Sequence, residues 1–472
     1  MEKNKQELTY ENAKSVHIFA YPFIGMEKNL SKKFEAKGWL KKETNEKNEK
    51  QAFMLRQYLS INARKIFLED GICKIYTYPL EEAKKPTYRI KLKEQEYNLP
   101  LKEIELHVYN DEVGILFIKV LNDGKKITVD DIIQINNKGR DIALPYIPDN
   151  AKGDIACAEQ LGIVYGKDCT SHITDFRQRV EGYFADNADV KKQMEQPASF
   201  IQDIFNVRLG KINKEELQED VRIKPTTDDR MYVMSIVRDD GLSEMIEKSD
   251  WTDTEEELLY KLIFVDDKGF ATCQEQSMRK ALLERSIYPR WREWGTIHAI
   301  TDYSFMCMCS MDEGINASVI RPMYAEYMYS LSLVMAQKLQ IMKYSEQAGE
   351  LAEGMKKKTK LNYKAFVALR KQYVVFLNQL MITAFSCQQQ GVELYDMLKE
   401  QMLVNKEREL FDAQLEGLYE IANTCNGIKT TNIANFLAVL GVVLAIVQVC
   451  QSDWSEVQKL WEVITNAINS IP

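Results

Sequence analysis

Apolar and polar positions follow three different patterns along the chain. Up to residue 320, short runs of β-branched and aromatic residues alternate with stretches of helical periodicity. From 323 to 431 apolar residues recur at spacings of three and four, and from 433 to 450 the chain is apolar almost without a break.

In the first region, 16–23 reads Val-His-Ile-Phe-Ala-Tyr-Pro-Phe and predicts a buried strand ended by Pro22, because proline has no N–H to give a ladder. The runs 73–78, 88–92, 104–109 and 113–121 carry strand residues, and Asn110-Asp111-Glu112 separates the last two at hairpin length. Between the first two strand signals, 27–51 is dense in Lys, Glu and Asn around Trp39 and Leu40, a surface segment. Thr128 before Val129-Asp130-Asp131 is a Thr-x-x-Asp capping pattern, which predicts a helix stopping at Gly139, just before Arg140. Helical patterns follow around 155–161, 176–184 and 200–209. Asp228, Asp229 and Arg230 then open a strand through 234, and 258–265 predicts another, ended by the turn Asp266-Asp267-Lys268-Gly269. In 288–296, Pro289 suits a first helical position, Arg290 faces Glu293, and Gly295 stops the turn. Strands mixed with helices make 1–320 an α/β or α+β domain.

The second region has no proline between Pro322 and Pro472. Tyr324, Met328, Leu331, Val334 and Met335, and later Tyr363, Phe366, Val367, Val374, Leu377 and Met381, predict long helices with breaks at Gly349, Gly354 and Gly391. Helices of roughly 40 to 60 Å have the dimensions of a stalk, assigned to 321–431.

The third region holds no charge and two strongly polar residues, Asn435 and Gln448. As a helix it rises roughly 27 Å, against a hydrocarbon core of about 30 Å, and Trp454 and Trp461 follow at interfacial depth. It predicts a transmembrane helix, with Asn435, Phe436, Leu440, Leu444 and Gln448 as membrane or pore residues; the alternative is a helix buried in an oligomer core. The amphipathic residues after Ser452 would lie on a bilayer or form a second span. Segment 432–472 is therefore expected to be a membrane segment and tail.

The net charge of −8 over 472 residues leaves no basic surface for nucleic acid. Residues 1–15 lack the apolar core of a signal peptide, so the bulk of the chain is expected in the cytoplasm, anchored to a bacterial inner membrane. Nine cysteines without Cys-x-x-Cys spacing read as reduced thiols, and Cys307 and Cys309 as packing residues. Phosphate-loop, dinucleotide, zinc-protease and nucleophile-elbow motifs are absent, and the four histidines lie far apart, so the expectation is a protein that is not an enzyme.

Segment 17–23, Gly139-Arg140, Asp228-Asp229-Arg230-Met231 and Tyr288-x-Arg290-Trp291-x-x-x-Gly295-Thr296 occur in an order that resembles the CorA-like membrane proteins encoded beside type III CRISPR systems. The resemblance implies a funnel-shaped homopentamer in which a cytosolic domain senses a ligand and long helices pass that state to a transmembrane pore. Ordinary CorA proteins move magnesium and carry Gly-Met-Asn between two spans, whereas Gln451-Ser452-Asp453-Trp454 follows the apolar run here. The CRISPR-associated branch implies a nucleotide second messenger, a conjugate of S-adenosylmethionine and AMP, answered by compromising the membrane. On that reading Arg140 and Arg230 hold phosphate, Asp228 or Asp229 accepts from ribose or an amino group, and Trp291 or Tyr288 stacks on adenine beside Arg290. Asp228, Asp229 and Arg230 read equally as a local ion pair or turn cap. The competing functions are a divalent-cation channel, with Mg²⁺ held by carboxylates between subunits, and a tail-anchored scaffold.

Overall fold

A computed structural model describes residues 10, 13–27, 29–42, 49–69, 71–166, 171–194, 196–209, 220–226, 229–248, 250–358 and 363–451, with short runs at 458–459, 461–463 and 465–466. The chain divides into two compact units, one of Met1–Lys343 with Val374–Arg408 and the other of Tyr344–Tyr373 with Glu409–Pro472.

The first unit is built on a large mixed sheet. Its strands are β1 (Ala13–Gly25), β2 (Leu40–Lys41), β3 (Cys73–Thr77), β4 (Thr87–Lys91), β5 (Glu96–Tyr109), β6 (Val113–Ile127), β7 (Gln160–Val164), β8 (Ser171–Asp175), β9 (Ile223–Pro225), β10 (Tyr232–Arg238), β11 (Ile287–Tyr288), β12 (Ile297–Ile300) and β13 (Ser304–Cys309). The order is β11-β12-β13-β10-β1-β6-β5-β4-β7-β8, with β3 also on β5, β2 on β3 and β9 on β1. The β5–β6 hairpin turns where the sequence predicts. Asn110 and Asp111 both take positive φ, which these two residue types tolerate, and the Glu112 N–H donates to the Tyr109 carbonyl at 3.0 Å.

β1 runs through Pro22 instead of ending there. It pairs with β6 along nearly its whole length, while on its other edge β10 pairs as far as Ala20 and β9 begins at Phe23. Pro22 falls in the interval between those two partners, where a missing N–H costs no ladder bond. Burial on both faces explains the unbroken apolar run, with Phe19, Tyr21 and Phe23 inside the core.

Two other expectations are corrected. Segment 258–265 is no strand: 258–263 belong to the helix Asp253–Ile263, opened by a capping box in which Thr252 and Glu255 satisfy each other's backbone N–H groups, and Phe264 is its C-cap. Leu258, Leu259, Leu262 and Ile263 are its buried side, a short apolar run that fits either period until its cap is recognised. Segment 155–161 is no helix; Leu161 and Ile163 alternate inward along β7, which pairs with β4 and β8. The helix Val129–Lys138 forms as expected, with the Thr128–Asp131 capping box and Gly139 as its end.

The C-terminal part of the chain holds the helices Glu326–Lys358, Tyr363–Gln379, Gln389–Gln401 and Val404–Gln451. Gly349, Gly354 and Gly391 all lie inside helices, because one glycine costs only about 1 kcal/mol. In the second unit, the Tyr373 ring meets Phe411 edge-on at 4.7 Å and its hydroxyl donates to Asp412 (2.6 Å), while Arg370 lies over the Tyr419 ring at 4.6 Å.

The predicted membrane segment is not found. Among the described residues no helix is long and apolar enough to cross a membrane. The described apolar side chains run from Ala434 to Ala445, a rise of roughly 18 Å. They share one long helix with the charged stretch from Lys406 to Glu420. Asn435, Phe436, Leu440, Leu444 and Gln448 are all exposed on it. Trp454 and most of the tail lie outside the described residues.

Candidate functional site

The candidate site begins where the helix Val129–Lys138 ends. Gly139 packs so closely on Phe19 that a Cβ there would come within 2.6 Å of the ring, and the Tyr88 hydroxyl donates to the Gly139 carbonyl (2.8 Å). The chain leaving this point runs antiparallel to the segment that enters β10. Met231 N–H donates to the Arg140 carbonyl and Ile142 N–H to the Asp229 carbonyl, both at 2.7 Å, with Asp141 opposite Arg230. Three of the residues expected to bind ligand, Arg140, Asp229 and Arg230, thereby line one cleft of about 910 Å³.

Arg140 is 3% exposed. Its Nη2 donates to the Val265 carbonyl at 3.3 Å, its guanidinium lies 5.7 Å from the centre of the Tyr303 ring, and its buried Nε has no acceptor among the described residues. Burial, reinforced by the nearby Arg230 charge, pushes its pKa down to about 10, which leaves it cationic at neutral pH. Arg230 reaches Asp229 Oδ2 at 3.3 Å and Asp141 Oδ1 at 4.0 Å. Asp141 accepts the Ala158 N–H at 3.0 Å, and burial pushes its carboxyl up to about 7.

The rest of the cleft is partly aromatic. Tyr260 and Phe264 stack at 4.6 Å, and Tyr303 is half-exposed across from them on the turn between β12 and β13. The helix Glu326–Lys358 supplies Met335, Lys338, Leu339 and Met342. Lys138 joins Asp267 (2.9 Å) and the Ala156 carbonyl (2.6 Å) at the margin. Cations, hydrogen-bond acceptors and aromatic faces thus converge in one cavity, a combination suited to a phosphorylated aromatic ligand.

Tyr288, Arg290 and Trp291 do not line this cleft; they clasp the helix Gln389–Gln401. The Tyr288 hydroxyl donates to Glu393, Arg290 Nη2 meets both Glu393 oxygens at 2.9 and 2.7 Å, and Trp291 Nε1 donates to Gln390 Oε1 at 2.8 Å. Arg290 therefore pairs with Glu393, distant in sequence, and not with Glu293. Asp228 lies outside the described residues. Among the described residues no group of three or more His, Cys, Asp or Glu is placed to hold a metal ion, so the magnesium expectation gains no candidate site.

Comparison with family models, curated proteins and solved structures finds no match to this chain.

Sequence reasoning missed Tyr260, Phe264, Tyr303, Lys138 and Lys338. Reading 258–265 as a strand put Tyr260 and Phe264 roughly 13 Å apart, whereas one helical turn stacks them. It also missed a second constellation: His107 Nε2 donates to Glu105 Oε1 (2.6 Å), His107 Nδ1 lies 2.8 Å from Ser332 Oγ, and Lys42 reaches Glu105 Oε2 at 2.5 Å. Glu105, His107 and Ser332 are at most 2% exposed and line neither described cleft. Their order has the form of a hydrolytic triad, but all three side chains are buried, and the contacts they make join β5 to the helix Glu326–Lys358.

Proposed function

We propose that this chain is a nucleotide-sensing effector of type III CRISPR antiviral defence, and that its first unit takes an adenine-nucleotide messenger, of the class that joins S-adenosylmethionine to AMP, in the cleft around Arg140 and Arg230. One observation carries the ligand reading: two guanidinium groups 90 positions apart in sequence line the same cavity, and one is buried with an unsatisfied N–H. Burying a cation is costly unless an anion compensates it, and a bound phosphate does so. Tyr303, Tyr260 and Phe264 offer ring faces to a purine, and Asp229 offers acceptors to ribose hydroxyls. A volume of about 910 Å³ lies within the range of small-molecule sites. The defence context rests on the short motifs that resemble the CRISPR-associated CorA-like proteins. The proposal concerns ligand recognition and does not extend to passage across a bilayer.

The test is titration calorimetry of the full chain with the S-adenosylmethionine–AMP conjugate and with AMP. Arg140→Ala and Arg230→Ala should each weaken binding by roughly tenfold or more, the loss expected for a charged hydrogen-bond donor. Arg290→Ala should bind like the wild type, because Arg290 lies outside the cleft. Wild-type affinity in both cleft variants, or a loss confined to Arg290→Ala, would sink the assignment.

A further inference from the structure

A second cleft, of about 630 Å³, lies in the first unit between β8, the helices Phe176–Phe184 and Ser199–Phe205, and the start of the helix Ala188–Met194. It shares no lining residue with the first. Its lining differs in kind: among the described residues no aromatic side chain lines it, and Thr174, Gln178, Ser199 and Gln202 give it hydroxyl and amide groups. The Thr174 and Ser199 hydroxyls lie 3.0 Å apart, so two hydroxyls are presented side by side.

Asp175, Asp189 and Asp203 line this cleft together with Arg179 and Arg208, and they are not all paired with one another. Asp175 is occupied, accepting the Gln178 N–H (2.7 Å) and Gln160 Nε2 (2.6 Å). Asp203 pairs with His172 at 2.7 Å, and Arg208 is bonded to Asp220. Arg179 is different. It is 8% exposed, lies over the Phe176 ring at 5.6 Å, and makes one long hydrogen bond, from Nη1 to the Gln196 carbonyl at 3.4 Å. No carboxylate among the described residues pairs with it. Burial lowers its pKa, the response of a cation that has lost water without gaining an anion. Asp189, at the exposed rim, has no ion-pair partner among the described residues.

We propose that this cleft is a second ligand site for a small phosphorylated polyol of the sugar-phosphate class, with Arg179 on the phosphate and Thr174, Ser199, Gln178, Gln202 and Asp189 on the hydroxyls. A buried guanidinium without a carboxylate calls for an anion. The polar, ring-free walls favour a hydroxylated body over a nucleobase. This assignment is independent of the nucleotide reading of the first cleft.

The experiment is calorimetric titration of the full chain with ribose 5-phosphate, inorganic phosphate and ribose, using the wild type, Arg179→Gln, Ser199→Ala and Arg230→Ala. Ribose 5-phosphate should bind the wild type and Arg230→Ala alike, and Arg179→Gln roughly tenfold or more weakly. Ser199→Ala, a small change at the cleft wall, should weaken it several-fold while melting at the wild-type temperature, which keeps the test valid if Arg179→Gln fails to fold. Ribose should give no heat, and inorganic phosphate should bind more weakly than the sugar phosphate. The proposal is overturned by absence of ribose 5-phosphate binding, by wild-type binding in both Arg179→Gln and Ser199→Ala, by a loss confined to Arg230→Ala, or by inorganic phosphate binding as tightly as ribose 5-phosphate.

Discussion

Glu105→Gln tests the buried charge network directly, because it keeps the side-chain shape and removes the charge. In the wild type the Glu105 carboxylate, 2% exposed, serves Lys42 and His107 at once. An amide has one oxygen for these two donors, and its NH₂ group faces one of them. Lys42 has a 38% exposed side chain, so water recovers most of what it loses, and its share is at most about 1 kcal/mol. His107 is fully buried, and leaving it with a donor–donor contact costs about 1–3 kcal/mol. The expected loss is about 1–4 kcal/mol, read as a lower urea midpoint at unchanged slope. The pH dependence follows from linkage. Burial alone would raise the Glu105 pKa, but the hydrogen bond from His107 and the charge of Lys42 hold it well below the ordinary carboxylate range. A folded pKa below the unfolded value gives stability that is present above about pH 4.3 and lost as pH falls through the folded value. The gap between wild type and Glu105→Gln should therefore narrow on acidification. A variant within about 0.5 kcal/mol of wild type at neutral pH, or a gap that widens in acid, would refute the reasoning.

Two further predictions concern the site and its surroundings. The raised Asp141 carboxyl means that between about pH 4 and pH 7 the folded chain keeps a proton that the unfolded chain releases, so stability falls as pH rises through that window; melting curves of Asp141→Asn should be flatter there, and an unchanged slope would contradict the burial effect. Gly295 has φ of 62°, and a Cβ there would strike the Ser243 hydroxyl and come 2.9 Å from its carbonyl, so Gly295→Ala should cost roughly 2 kcal/mol or more in denaturant unfolding, and a neutral result would count against the left-handed turn.

The elements that were legible in the sequence are those whose cause is local. The Asn110-Asp111 turn, the Thr128 capping box and the alternation in β3 to β6 each carry their signal within a few residues. The helix at 253–263 was hidden because its cap precedes the apolar run that was read as a strand. Uniform apolarity near 433–450 stated how much surface needs covering, but not by what, and a bilayer was the wrong inference for the described helices. In the first cleft, Arg140 and Arg230 were legible as cations able to bind phosphate. Their meeting was not, because the backbone bridge joins residues 89 positions apart. The Glu105–His107–Ser332 network closes over 225 positions, beyond any periodicity argument.

The central place of β1 has a consequence for biosynthesis. β1 is among the most apolar of the strands, yet its long partners β6 and β10 are made well after it. At 5–20 residues per second, the roughly 100 residues from the end of β1 to the end of β6 take roughly 5–20 s, and β10 needs about as long again. Throughout that interval β1 presents an unpaired apolar edge to water or to a chaperone. A chain stopped before residue 232 would keep one edge of β1 open for good, and should be recovered as aggregate even though most of its sheet has already been made.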